Sequence, residues 1–598
     1  MASRRPSPAP NWFRTAAIAL VVVGLNAWLL AHFHDRFWWP PDEGNYAHVA
    51  ERILDGEVLH AQIQDIHPGY VNFANAGALA LFGRRLTSMR YPLALLGIVQ
   101  SLLLFLVLRP AGPAAAGVGA TAITALGFLQ FLDPTAHWYC LFLVVLLAAV
   151  LHIAPRTARW RLDAIGAIVM TIVLFRQLSG VLVAMGALTW LLLEPGDDGD
   201  TRPDVATRPT SRASRPWVAR ATIAIMLVGL GGYLARSTDA VGWLLFGIWP
   251  VLVLLQAVRL TETPNGRVLR MLPALARGGI VAALPLVAYH LANGSLGAWY
   301  HDALETALGF PRMPFFDAIS YADLLAEAWR SLATGEPAPL LNGAYWLVLP
   351  FVAAVVGVRM LMRLGDDRGP REAGAPPALP ILAVFYGVVS VHYQIPIYLA
   401  YTVGLSLAAL ICLTRGSRAA TAATAALAAI AVVYHAGQPL SRGVTGATRG
   451  ERVALVESDA VPRIGVRIEP SDVQLYETLL GLIERDVPPS GSILAIPSRA
   501  ELYFLSGRRN PFWFYNSALG VTTERELEAV LAGLERDPPG LVFYDRRDKY
   551  NTPASRAIME RVAATYEPLP GVGPFEIYRH PGLGDPVAAR EAAPSSSR

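Results

Sequence analysis

The sequence predicts a polytopic α-helical membrane protein that ends in a small soluble α/β domain. Three observations carry this. Of 598 residues, 54% are hydrophobic and only 16% charged, whereas soluble domains carry about 25% charged residues; the mean hydropathy of +0.39 agrees. Apolar stretches long enough to cross a bilayer recur through residue 436. Beyond about residue 440 the pattern turns into the shorter, mixed periodicities of a soluble domain.

In chain order, residues 1–13 are expected to be a cytoplasmic tail containing Arg4 and Arg5. An uncleaved anchor follows, because the apolar run from Thr15 to Ala31 leads into His32-Phe33-His34-Asp35-Arg36 and not into a small-residue cleavage site. The membrane domain is expected at 14–436, with spans at 14–33, 91–108, 113–132, 137–154, 162–176, 178–193, 218–235, 240–258, 278–292, 341–362, 378–393, 396–413 and 418–436, about thirteen in all. With the N-terminus inside, the loops 155–161, 194–217, 259–277, 363–377 and 414–417 are cytoplasmic. They hold Arg156, Arg161, Arg208, Arg267, Arg270, Arg363 and Arg415, among others, as the positive-inside rule requires. The odd span count places the C-terminal domain outside.

Three long segments then face outward. Residues 34–90 contain an amphipathic helix starting after Pro41, with Tyr46, Val49, Ala50, Ile53 and Leu54 on one face and a stop at Gly56, followed by an interfacial apolar run at 70–83. Residues 293–340 carry Trp299, Tyr300, Arg312, Phe315 and Phe316 and are read as a lid or lipid-contacting loop. Residues 440–582 read as an α/β domain. It has helices at Val473–Glu484 and Thr523–Glu535, the latter with capping-box spacing between Thr523 and Glu526, and buried strands at Ser492–Ile496 and Leu541–Tyr544. An edge strand is expected at Phe575–Tyr578, and the polar residues 583–598 read as a disordered tail.

Charge and cysteine usage narrow the function classes. The net charge of +4 comes almost wholly from arginines between spans, Lys549 is the only lysine, and no basic-aromatic stripe suggests nucleic acid. Cys140 and Cys412 lie inside apolar spans, so no disulfide framework or CxxC pair is present.

The residues able to do chemistry gather at outer span ends. Asp42 and Glu43, in Pro40-Pro41-Asp42-Glu43-Gly44-Asn45-Tyr46, are adjacent carboxylates at a membrane surface; Asp42 reads equally as the N-cap of the helix that follows and as a general base. Asp133, in Leu132-Asp133-Pro134-Thr135-Ala136-His137, emerges on the same face, as a loop cap or a functional acid. Arg176 interrupts the apolar run Ile172–Gly180, either snorkelling to headgroups or meeting a phosphate. His392-Tyr393-Gln394 precedes Pro396 at another outer end and reads as an interfacial belt or a binding element. His48, His60 and His67 share one loop, but their spacing fits no zinc signature, and no metal or other cofactor is expected.

The stretch from Pro40 through Gly56, followed by His67-Pro68-Gly69-Tyr70, resembles the first outer loop of GT-C membrane glycosyltransferases, nearest to the protein O-mannosyltransferase and lipid A aminoarabinose transferase group. The second element departs from the family pattern, with His67 for the usual lysine and Gly69 for the second proline. The resemblance implies a multi-pass enzyme of the cell (inner) membrane with an extracytoplasmic site. It also implies a polyprenyl-phosphate sugar donor and displacement at the anomeric carbon with inversion. By the same resemblance Asp42 is the base, with Glu43 second, Asp133 is a further acidic residue, and His67, Tyr70, Arg176, His392 and Tyr393 contact donor phosphate or sugar. Some members use a divalent ion and others do not. The acceptor, whether glycan, lipid or protein, is not specified. A lipid or solute transporter or flippase is the rival class; it would show internal repeats and polar groups meeting at the membrane midplane, and no repeat is present. A catalytically dead relative acting through its tail is the third.

Overall fold

The computed structural model describes residues 12–195, 216–309, 320–365, 377–392, 396–436 and 454–582. It is a helical bundle with a four-stranded α/β domain docked at one end. The first helices are α1 (Trp12–Phe33), α2 (Pro40–Leu54), α3 (Tyr70–Phe82), α4 (Arg90–Leu108), α5 (Pro113–Ile123), α6 (Ala136–Ile153), α7 (Trp160–Phe175), α8 (Gln177–Leu193) and α9 (Trp217–Ser237). Apolar helices Ala240–Leu260, Asn265–Ala292, Pro337–Leu364, Ala378–His392, Ile397–Leu413 and Arg418–His435 complete the bundle.

Among the described residues, eight helices are long and apolar enough to cross a membrane. The other expected spans, at 113–132, 162–176, 178–193, 378–393 and 396–413, are helical but shorter or interrupted. One boundary moves far. The span expected at 278–292 belongs to a 28-residue helix that starts at Asn265 and runs through Pro273 and Pro285. Its arginine-rich first turns look like a loop in sequence, yet Arg267 docks on Glu194, a buried carboxylate that also takes Arg156 and Arg161. Paired charges let the helix continue where unpaired ones would favour solvent.

The C-terminal domain follows the expected alternation with differences at its edge strand and in its helices. Its strands are β1 (Ile493–Ile496), β2 (Leu541–Asp545), β3 (Glu567–Val572) and β4 (Phe575–Arg579), in the order β1-β2-β4-β3. β1 and β2 are parallel; β4 pairs antiparallel with both β2 and β3. The expected edge strand at 575–578 is thus interior, and the edge is Glu-Pro-Leu-Pro-Gly-Val, whose prolines hide it from a strand pattern but suit a strand with one free side. Helix Pro553–Thr565 has no counterpart in the sequence expectations. The Thr523–Glu526 capping box forms as its spacing indicates.

The position of this domain matters most for the site. A single apolar core contains Trp38, Ala47, Val49, Ala50, Leu59 and Leu79 from the first loop together with Val466, Tyr476, Leu479, Ile493, Phe504 and Phe543 from the C-terminal domain. Polar ties reinforce it. Trp38 donates to Asp472 (3.1 Å), Arg467 pairs with Asp35 (2.6 Å), Arg463 pairs with Glu51, and Arg52 donates to the carbonyl of Phe512 (3.0 Å). α2 is therefore buried on two sides, against the bundle and against helix Glu501–Ser506. Gly44 lies on the backbone of Glu501, where a Cβ would collide, and His48 stacks on Tyr503 at 4.7 Å. The one-faced amphipathic helix expected from sequence misses this second, small and polar face.

Glu501 is fully buried at this junction, accepts from Tyr476 (3.1 Å) and has Arg499 at 3.8 Å. Burial, only partly offset by Arg499, pushes its carboxyl up from 4.5 to about 7. The neutral acid is the form the fold favours, so its contribution is complete below pH 4.5 and is lost as pH rises through 7, by about 3 kcal/mol in total. Glu501→Gln is expected to remove that slope: between pH 5 and pH 8 the unfolding temperature of the wild type should fall relative to the variant.

Candidate active site

α2 starts at Pro40, with the proline pair in its first two positions and Trp39 as a cap that makes no side-chain bond. Asp42 is thus not the N-cap; it sits in the first turn, where a negative charge suits the helix dipole. The division of labour within the pair follows from their partners. Glu43 is fully buried, accepts from the Trp39 amide (3.2 Å) and is closed on Arg90 by both oxygens. Arg90 also donates to the carbonyls of His34 (2.9 Å), Arg36 (3.1 Å) and Phe37 (2.6 Å), pinning the corner between α1 and α2. Burial raises the Glu43 carboxyl and Arg90 opposes it. Asp42, half-buried, accepts no hydrogen bond from a described residue. Burial pushes it up to about 6, with Glu43 adding to the rise and Lys549 and His67 opposing it.

Asp133 lies in the connection between α5 and α6 and is 1% exposed. One oxygen accepts from the Thr135 amide (3.2 Å); the other has no partner among the described residues. Burial first, then the charges of Asp42 and Glu43, hold its carboxyl well above the usual range. A negative charge beside a buried carboxyl favours its protonated form, so Asp42 and Glu43 act on Asp133 in the same direction as its burial.

The remaining residues close a circuit around these acids. Tyr46, one turn beyond Asp42, donates to Thr135 Oγ1 (3.2 Å) and lies 3.5 Å from His67 Nε2. His67 Nδ1 is 2.7 Å from Asp65 Oδ1, which also accepts from the His67 amide (2.9 Å), while Asn72 donates to Asp65 Oδ2 (3.0 Å). Burial alone would raise Asp65, but His67, and beyond it His60, outweigh burial and hold it below the usual range. This fixes the His67 ring with Nε2 toward Tyr46. From Thr135 the chain enters α6 at His137, whose ring stacks on Tyr401 (4.0 Å) and meets Tyr398 edge-on (5.0 Å). Arg176, at the break between α7 and α8, donates to the Tyr398 hydroxyl (3.4 Å) and leaves its buried Nε without a partner among the described residues. The neighbouring Gln177 donates to the carbonyls of Ile66 (3.0 Å) and Ala303 (2.6 Å), which returns the circuit to His67.

His392 lies at the margin, with Nδ1 3.4 Å from the Tyr233 hydroxyl of α9 and its ring 6.4 Å from Tyr398. Tyr70 is turned away: its hydroxyl bonds the Ala282 carbonyl and its ring meets Phe175. Tyr393, Arg312, Phe315 and Phe316 fall outside the described residues. Among the described residues, no three His, Cys, Asp or Glu side chains are grouped to hold a metal ion.

Gly69 is required by its backbone conformation. It precedes α3 at φ +135°, a conformation closed to proline and unfavourable for other L-residues, and an added Cβ would sit 3.0 Å from Leu286 Cδ1. Gly69→Ala is expected to cost about 1–3 kcal/mol, and Gly69→Pro more, read as lowered unfolding temperatures in detergent.

Sequence reasoning missed Tyr46, Asp65, Arg90, Thr135, Tyr398 and Tyr401. The first two lie within the segment singled out and carried a signal, a phenol and a carboxylate beside the candidate acids; the others are single polar residues whose convergence is tertiary.

No protein-family model matches the sequence, and no curated protein is found to be similar to it. Among solved structures, the chain is similar to ArnT from Cupriavidus metallidurans bound to undecaprenyl phosphate, with 15% identity, 95% of this chain and 98% of that chain covered, and a TM-score of 0.38. The apo state of the same protein gives 14%, 96%, 98% and 0.36. An oligosaccharyltransferase from Archaeoglobus fulgidus, in complex with zinc and sulfate, gives 14% identity, 89% of this chain, 67% of that chain and a TM-score of 0.40. The functional reading below rests on the residues of the site.

Proposed function

We propose that this chain is a membrane glycosyltransferase that moves a sugar from a polyprenyl-phosphate donor to an acceptor hydroxyl, with inversion, at the end of the bundle that bears the C-terminal domain and faces away from the cytoplasm. The observation that carries this is an acidic side chain that accepts no hydrogen bond from a described residue, Asp42, on the same end of an apolar bundle as Arg176, His67 and the tyrosines Tyr46, Tyr398 and Tyr401. Asp42, His67 and Tyr46 lie in the first loop that packs on the C-terminal domain, an arrangement that favours transfer over a transporter gate.

In this reading the acceptor O–H gives its proton to Asp42 as its oxygen attacks the anomeric carbon. The bond from that carbon to the phosphate oxygen breaks, and its electron pair leaves with the polyprenyl phosphate. Arg176, which has one guanidinium nitrogen without a described partner, faces the charge that grows on the phosphate. His67, oriented by Asp65, and His392 border it. Asp133, whose carboxyl is pushed up by burial and by the neighbouring acids, is the less readily ionised neighbour of the base.

The test is a donor screen. Membranes containing the chain are incubated with labelled polyprenyl-phosphate sugars, and release of polyprenyl phosphate is followed together with transfer of label. No release with any donor overturns the proposal.

A further inference from the structure

Three helices that border the candidate active site also meet at their far ends. α4 runs from Arg90, at the corner with α2, to Leu108, about 27 Å away at 1.5 Å per residue. α6 begins after Thr135 and ends just past His152, and helix Ile397–Leu413 passes from Tyr398 to Cys412. Between these far ends lies a cavity of about 400 Å³, a size ordinary for a small-molecule site. Leu108 and Leu379 are among its apolar walls, His152, Arg363 and Arg415 are its polar ones, and Cys412 lines it too. Among the described residues, no Asp or Glu lines it.

Arg415 holds its place in that wall against its own backbone preference. Helix Ile397–Leu413 closes with two bonds, from the Gly416 amide to the Ile411 carbonyl (2.9 Å) and from the Arg415 amide to the Cys412 carbonyl (3.2 Å). In this kind of helix ending the next-to-last residue is left-handed, and glycine is its usual occupant. Here the position is taken by Arg415, at φ +50°. Gly416, at φ +70°, is glycine for a steric reason as well, because an added Cβ would collide with the Ala111 carbonyl oxygen. The turn is thus seated on the Arg109–Ala111 corner that follows α4. An arginine kept where glycine would be easier points to a role for its side chain.

We infer that this cavity binds the headgroup of an anionic phospholipid, in the leaflet opposite the candidate active site. Arg415 and Arg363 supply cationic donors for the phosphate, His152 adds a polar contact, and Leu108 and Leu379 offer a surface to the first acyl carbons. A basic pocket between helix ends recognises lipid phosphate in this way. A soluble phosphate would use the cations and leave the apolar walls uncovered. The inference does not depend on the transfer reaction.

The experiment uses the full chain in phosphatidylcholine nanodiscs with increasing phosphatidylglycerol. Lipids retained on the released protein are counted by native mass spectrometry. Alkylation of Cys412 by a maleimide, followed by peptide mass spectrometry, is the local readout, since Cys412 is half-buried in the cavity wall. The wild type should retain phosphatidylglycerol over phosphatidylcholine by about fivefold or more, and phosphatidylglycerol should slow the alkylation of Cys412. Arg415→Gly should lose about fivefold of that preference and restore the faster alkylation, whereas Arg415→Lys should keep most of both. Glycine suits the left-handed position, so Arg415→Gly should unfold at no lower a temperature than the wild type, which separates lost binding from misfolding. Equal retention of the two lipids by the wild type overturns the inference, and so does a preference that survives Arg415→Gly. Slowing of Cys412 by glycerol 3-phosphate in pure phosphatidylcholine would assign the cavity to a soluble phosphate and overturn the lipid as its occupant.

Discussion

Asp42→Asn is expected to lower turnover by about 10²- to 10⁴-fold while donor binding is retained. The substitution keeps the shape of the side chain and removes only its ability to take a proton. α2 is clamped between the bundle and the C-terminal domain, with Gly44 against Glu501 and Tyr46 against Thr135, so the amide should occupy the same place. Comparison of kcat for the two proteins, with a titration of polyprenyl phosphate as the binding measure, decides it; wild-type turnover in the variant would remove Asp42 from the mechanism. The wild type carries its own pH signature. Asp42 is held near 6, and the base acts only when ionised, so turnover should fall as pH drops through about 6 and be full above about 7.

Arg90→Met should have the largest effect on stability. Arg90 is 1% exposed and Glu43 is fully buried. Removing the cation leaves an uncompensated buried carboxylate and frees three part-buried carbonyls, at His34, Arg36 and Phe37. Breaking a buried pair by deleting one partner costs about 3–5 kcal/mol, a large part of a typical folding free energy. The unfolding temperature in detergent should drop sharply. A double variant, Arg90→Met with Glu43→Gln, should recover part of the loss, because the stranded charge is gone. Equal stability of wild type and single variant would show that the pair does not hold the corner. Since that corner sets the start of α2, the single variant should also weaken turnover without touching Asp42.

The two acids of Pro-Pro-Asp-Glu illustrate what a sequence can and cannot assign. Their presence after the first span, before an amphipathic run, marked the segment; which of them is available for chemistry depended on Arg90, 47 residues away. Asp133 and Arg176 stood out because ionisable groups at span ends are costly. His67-Pro68-Gly69-Tyr70 was legible as a motif, yet its two outer members part company: His67 joins the circuit, and Tyr70 bonds a carbonyl in helix Asn265–Ala292.

By itself the sequence determined that most of this chain is helical and apolar, that a soluble α/β domain follows, and that acidic and basic groups cluster at certain span ends. These follow from composition and from periodicities of a few residues, which act locally. Only the tertiary structure decided that the first loop and the C-terminal domain share one core, that Glu43 is closed on Arg90 while the Asp42 carboxyl accepts no described bond, and that Tyr46 bridges Thr135 and His67. Such assignments depend on electrostatic and packing interactions between residues hundreds of positions apart, and no local pattern encodes which distant partner a buried charge will find.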